Sequence, residues 1–147
     1  MRGIEFQFND GYGYILDKLL LNIPIENYDW YVYENEIIAN GTNLCVPNIL
    51  SSHELKKFIV QDSYYVYFLN LQAYPKGSQN NSIKTFEDFL NSSCEIVFLV
   101  NDGMYIEIYA KNHNLILQFI KNAEDIGSEN IFIKTDKNDG RTKLSVC

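Results

Sequence analysis

Between Glu26 and Glu36 the chain runs Glu-Asn-Tyr-Asp-Trp-Tyr-Val-Tyr-Glu-Asn-Glu: four carboxylates and four large aromatic rings, with no basic residue among them. Aromatic rings anchor protein interfaces, and carboxylates steer cationic partners toward them. These residue types point to a binding surface made by Tyr28, Trp30, Tyr31, Tyr33, Glu34 and Glu36, with a basic protein as its partner. On an unbroken strand Glu34 and Glu36 share a face, as an acid/base pair would require. Two carboxylates on one face are also ordinary solvated surface. The competing reading has Trp30 anchoring a core while the tyrosines cover the sheet edge. The sequence leaves both readings open.

Other chemistries find less support. His53 and His113 each stand alone, without a second His or Cys three or four residues away. A zinc site needs three or four ligands at short spacing, so no metal site is expected. Asp136-Lys-Asn-Asp-Gly140 has its glycine fifth, and the twelfth residue is Cys147. A calcium loop needs glycine sixth and glutamate twelfth, so a plain turn is expected. Gly11-Tyr-Gly13 lacks the third glycine of a nucleotide fingerprint and the lysine of a phosphate loop. There is no G-x-S-x-G elbow. Cys45 and His53 form a nucleophile and base only on paper, and Cys45 and Cys94 are both expected as small buried packers. No catalytic residue and no cofactor is assigned.

Charge and composition narrow the partners. Net charge is −7, and the densest basic pair is Lys56-Lys57. A nucleic-acid binder needs a basic patch, so nucleic acid is not expected. Three widely spaced cysteines without a C-x-x-C suit a reducing compartment. The apolar stretch from Ile15 to Ile25 is broken by Asp17, Lys18, Asn22 and Pro24. It is too short and too polar for a signal or a membrane span, so a cytoplasmic protein with no membrane contact is expected.

The elements that must position these residues follow from apolar periodicity. Residues 2–8 alternate, with Ile4, Phe6 and Phe8 opposite Gly3, Glu5 and Gln7. Asn9-Asp10-Gly11 forms a turn, and Asp10 can cap a helix carrying Tyr12, Ile15, Leu16, Leu19, Leu20 and Ile23. Residues 28–39 give a strand with Tyr28, Trp30, Val32 and Glu34 on one face. Ser51-x-x-Glu54 and Thr85-x-x-Asp88 are capping boxes before short helices. Residues 64–73 form the longest strand, and 75–82 the clearest loop. Residues 94–110 form a hairpin about Asp102-Gly103, with Tyr105, Glu107 and Tyr109 opposite Ile106 and Ile108. A helix spans about 114–125, with Gly127 at its C′ position. A strand at 130–135 follows, and 143–146 pairs back as an edge.

At 147 residues the chain is sized for one domain, taken as 1–147 with 75–82 as an internal loop. Hairpins dominate, so the fold class is α+β: a largely antiparallel sheet with helices packed mainly on one face. The β-α-β-β-α-β order of the first half matches a ferredoxin-like unit.

Met1-Arg2-Gly3-Ile4-x-Phe6, Tyr12-Gly13 and Asn27-Tyr28-x-Trp30 leading to Glu36-Ile37 resemble a family of small proteins from low-GC Gram-positive bacteria, described as a domain of unknown function. The likeness covers about the first forty residues. It implies a bacterial cytoplasmic protein and carries no activity and no functional residues. The expected function is therefore a non-catalytic protein-interaction module with an acidic aromatic surface. The alternative is a small enzyme or ligand binder with a pocket beside the sheet, using Glu34, Glu36, His53 or Cys45. Self-association through an edge at 143–147 is a third reading.

Overall fold

Alternation does place residues 3–7 in a strand, but its partners come from the far end of the chain. The structure, a computed structural model, describes residues 1–9, 13, 15–81, 83–139 and 143–146. The Asp10 cap and Asp10-Gly11 turn, Tyr12, Ser82, Gly140 and Cys147 lie outside the described residues.

The strands are β1 (Gly3–Gln7), β2 (Tyr28–Ala39), β3 (Thr42–Asn43), β4 (Ile49–Leu50), β5 (Tyr65–Pro75), β6 (Ile96–Asn101), β7 (Tyr105–Ala110) and β8 (Glu129–Lys134). The helices are α1 (Ile15–Leu19), α2 (Ser52–Ile59), α3 (Phe86–Leu90) and α4 (His113–Asp125). The fold is α+β. One sheet runs β3-β2-β5-β6-β7-β1-β8, with β4 also on β2. Every named pairing is antiparallel. The first half runs β1-α1-β2-β3-β4-α2-β5, with three strands between its helices where a ferredoxin-like unit has two, and the pairing differs as well. β1 sits between β7 and β8, separated from β5 by β6 and β7. Gly3 makes that insertion possible, because any Cβ there would overlap the backbone of Ile108 on β7.

Both capping boxes form, with Ser51 and Glu54 starting α2 and Thr85 and Asp88 starting α3. The hairpin forms as expected. Asp102 (φ 52°) and Gly103 (φ 72°) take the left-handed backbone that Asp and Gly tolerate. Tyr65's ring lies where a side chain at 103 would project, which also calls for glycine.

Helices α1, α2 and α4 cover one face of the sheet. Their apolar sides (Leu16 and Leu19, Leu55 and Ile59, Ile116 and Phe119) close a core with Ile4, Trp30, Leu71, Phe98 and Ile108. A second, smaller core forms on the opposite face from Tyr74, Ile83, Phe86, Phe89, Val97, Leu99 and Tyr109. Helix α3 and Leu144 and Val146 cover it. The expected edge strand at 143–146 is instead a cover. Lys143 makes one isolated bridge to Thr85, and Leu144 and Val146 point into the second core. Two apolar residues spaced by two satisfy either role, so period alone does not separate them. Among the described residues, no helix is long and apolar enough to cross a membrane.

Candidate functional site

The acidic aromatic strand at 26–36 divides between the two faces. Trp30 is fully buried in the larger core, and its indole N–H donates to the carbonyl of Ile25 at 3.2 Å. It is not a surface residue, which corrects its assignment to a binding surface. A large ring on the helix-covered face gains more from burial than exposure would return. Tyr28 is half-buried edge-on against Trp30, at 5.9 Å between ring centroids. Tyr31 is half-buried on the opposite face, edge-on to Tyr74 at 5.2 Å. Of the six residues expected to form the binding surface, only Tyr33 and Glu36 are exposed, and Glu34 is half-buried.

A bulge explains where Glu34 goes. Val32 pairs with Leu71 and Asn35 with Leu69, so Tyr33 and Glu34 together stand opposite Asn70. The extra residue takes Glu34 off Trp30's face, and its carboxylate accepts from the Asn70 side-chain amide at 3.3 Å. Behind it runs a buried polar chain. Gln72 donates to Asn70 at 3.2 Å, and Tyr74 donates to the Asn81 carbonyl at 2.7 Å beside Gln72. Tyr33 donates to Asn80. Burial raises the phenol pKa values of Tyr33 and Tyr74. Of these, Tyr33, Glu34 and Asn70 line a cavity of about 620 Å³ with Ile83, Lys84, Lys143 and Leu144; Asn70, Ile83 and Leu144 are buried and Tyr33, Lys84 and Lys143 exposed.

A second constellation, not anticipated from sequence, lies on the same face across the sheet. Glu5 on β1 and Glu107 on β7 are directly paired. Lys134 of β8 puts its ammonium 2.5 Å from Glu107, 3.7 Å from Glu5 and 3.5 Å from Asp139. It also donates to the Tyr109 hydroxyl at 3.0 Å. Burial alone would lower the pKa of Lys134; the hydrogen bonds to Glu107 and Tyr109 outweigh it and raise the pKa above the ordinary lysine value. Lys134 is thus a fixed ammonium and a poor nucleophile. Burial, with Glu107 and Asp139 nearby, pushes the Tyr109 phenol up to about 12. Arg2 extends the cluster, bonding Asp136 at 2.8 Å and stacking its guanidinium over Phe86.

Beside this cluster opens a groove of about 650 Å³, lined by Glu5, Gln7, Asp102, Tyr105, Glu107 and Phe132 among others. Tyr105 and Phe132 are each 46% exposed, high for large rings. Glu5, Asp102 and Glu107 line the groove and, among the described residues, no Lys or Arg does, so negative charge is in excess there. The arrangement suits a long cationic side chain lying between rings. Its signal was present in the alternation of Tyr105 and Glu107 against Ile106 and Ile108, and of Glu5 and Gln7 against Ile4 and Phe6. That these polar faces lie side by side depends on a pairing of strands a hundred residues apart.

The remaining sequence candidates do not converge. His53 and His113 are exposed in the first turns of α2 and α4. Cys45 is exposed, contrary to its expected packing role, because the short strands β3 and β4 around it lie at the sheet edge with little to cover them. Cys94 is buried as expected, and burial pushes its thiol up to about 12.

The chain matches, over residues 1–145, the model of a family described as "Protein of unknown function (DUF2691)". The "Uncharacterized protein YncE" of Bacillus subtilis (strain 168) is 33% identical over 151 residues, covering 99% of each chain. No solved structure matches. The chain belongs to the DUF2691 family, a family of unknown function represented in a low-GC Gram-positive bacterium. The likeness extends over nearly the whole chain, well past its first forty residues.

Proposed function

We propose that this member of the DUF2691 family is a non-catalytic protein-interaction module that takes a basic segment of a partner protein on an acidic aromatic surface. The supporting observation is the groove in which exposed Tyr105 and Phe132 stand beside Glu5, Asp102 and Glu107. Exposed rings supply contact area and anchor points. The surplus of carboxylate, within a chain of net charge −7, favours and orients cations. Of the 26–36 strand, Tyr33 and Glu36 remain available as a further contact, with Glu34 and Tyr31 behind them and Tyr28 half-buried on the other face.

The same reading takes residues 1–147 as one domain. β1 is inserted between β7 and β8, so neither half of the sheet is complete without the other. It also places the protein in the cytoplasm, where the free thiols of Cys45 and Cys94 would persist.

The test is a fluorescence-anisotropy titration with short labelled peptides rich in Lys and Arg, against acidic and neutral peptides of equal length. Basic peptides should bind at low salt and weaken as salt rises. Tyr105→Ser and Phe132→Ser, both on exposed rings, should each weaken binding by about tenfold while leaving the melting temperature nearly unchanged. Equal binding of all peptides, or indifference to both substitutions, would sink the reading.

A further inference from the structure

The cavity between β2, β5 and the covering segments has features the groove does not explain. Its lining is mostly apolar, from Ile83, Leu144 and the ring of Tyr33. Into this setting the β2 bulge turns a carboxylate. Glu34 is half-buried, and its recorded partner is the neutral amide of Asn70 at 3.3 Å. Among the described residues Glu34 forms no ion pair, and a carboxylate drawn partly out of water gains from a cation brought against it. Asn70, only 3% exposed, is itself held by Gln72 and contributes to the cavity wall. A buried amide chain in an otherwise apolar second core fixes the position of Glu34 and offers polar atoms to whatever enters. The exposed rim carries the opposite charge, from Lys84 and Lys143. Bridging of Thr85 to Lys143, and the hydrogen bond from the Leu144 amide to the Lys84 carbonyl, hold those two segments side by side.

We infer that this cavity is a binding site for a small zwitterion with an apolar body, of which apolar amino acids and their short peptides are the simplest class. The ammonium faces Glu34 and the Asn70 carbonyl oxygen. The carboxylate faces Lys84 on the exposed rim. The apolar body lies along Ile83 and Leu144. Each end of the ligand meets the opposite charge, and the middle displaces water from apolar wall. The site is separate from the acidic groove, which lies on β1, β7 and β8.

The experiment uses the full chain, isotope-labelled, with NMR titrations of three probes: leucine, 4-methylpentanoate, which lacks the ammonium, and 3-methylbutylamine, which lacks the carboxylate. Leucine should give saturable shifts at Asn70, Ile83 and Leu144, and each single-ended analogue should bind about tenfold more weakly. Leucyl-leucine is added to separate a free amino acid from a peptide. Glu34→Gln keeps the hydrogen-bonding shape and should abolish the advantage of leucine over 4-methylpentanoate. Lys84→Gln, on the surface, should abolish its advantage over 3-methylbutylamine. The inference is overturned if no zwitterion gives saturable shifts at millimolar concentration. It is equally overturned if a single-ended probe binds as tightly as leucine, or if the shifts map to Tyr105 and Phe132.

Discussion

Glu5 and Glu107 stand directly opposite one another on paired strands, and the ammonium of Lys134 sits beside both, 3.7 Å from one and 2.5 Å from the other. Like charges directly opposed across a ladder are destabilising. Lys134 reverses that sign and ties β8 to β1 and β7. Lys134→Met should therefore destabilise the fold by about 3 kcal/mol, because it removes the ammonium that Glu5 and Glu107 share and weakens the pairing of the nearly buried Asp139, which Arg2 also contacts at 3.7 Å. The double variant Lys134→Met/Glu107→Met should recover much of the loss, since an apolar pair carries no desolvation penalty. Urea denaturation of both variants checks this. A single-variant loss under about 1 kcal/mol would mean that the cluster is solvated like an ordinary surface pair.

The pH dependence has a sign at each end. Lys134 and Tyr109 have folded pKa values raised above their ordinary ones. Their contribution is fully present below the unfolded values, about 10 for both groups, and is lost as pH rises through the folded values. Asp88 and Glu54 are held below the usual carboxylate range by backbone hydrogen bonds at their caps, and Asp136 by Arg2. Their contribution is present above about pH 4 and is lost as pH falls through the lowered values. Denaturation midpoints should thus be flat from about pH 5 to 9 and decline on both sides. Lys134→Met should make the alkaline limb shallower without removing it, since burial also raises the pKa values of Tyr109, Tyr74, Tyr33 and Cys94, and should leave the acid limb in place. An unchanged alkaline limb in that variant would remove Lys134 as its cause.

Elements governed by local chemistry were legible in the sequence. Ser51 with Glu54, Thr85 with Asp88, and Asp102-Gly103 specify caps and a turn within a few residues, and all three form. Helix α1 is shorter than the run from Tyr12 to Ile23 suggests. It ends at Leu19, and Asn22 (φ 61°) takes a left-handed turn before Pro24. The sites depend on longer-range relations. The bulge at Tyr33 and Glu34 exists because β2 must pair with β5 while both keep their apolar residues inward, and no residue in β2 announces it. The groove needs β1 beside β7, and the cavity needs 143–145 beside 83–85. These are pairings at large sequence separation, set by burial of whole faces. Alternation assigns a residue to a face but not to its neighbour across the sheet.

Trp30 gives a direct check on which face of β2 is inside. With a fully buried ring, its emission should be blue-shifted and resist iodide quenching until the chain unfolds. Trp30→Ala should cost about 3–5 kcal/mol by opening a large void beside Tyr28. Red-shifted, readily quenched emission from the folded protein would instead put the ring on the surface and reverse the face assignment of β2.

The two described thiols should separate kinetically. Cys45 is exposed on the short-stranded edge, whereas Cys94 is buried, with its sulfur donating to the Ile96 carbonyl at 3.3 Å and its pKa pushed up to about 12. The thiolate is the reactive form, so burial and pKa act in the same direction. In a Cys147→Ser background, an aromatic disulfide reagent at pH 8 should label Cys45 within minutes. Cys94 should react only at the rate of unfolding, because the reagent must first separate β6 from α3 and the 143–146 cover. Adding urea below the denaturation midpoint should accelerate the Cys94 phase and leave the Cys45 phase unchanged. If both thiols react at one fast rate in native buffer, the second core opens far more readily than its packing implies, and the cavity bounded by Ile83 and Leu144 would not keep a fixed shape.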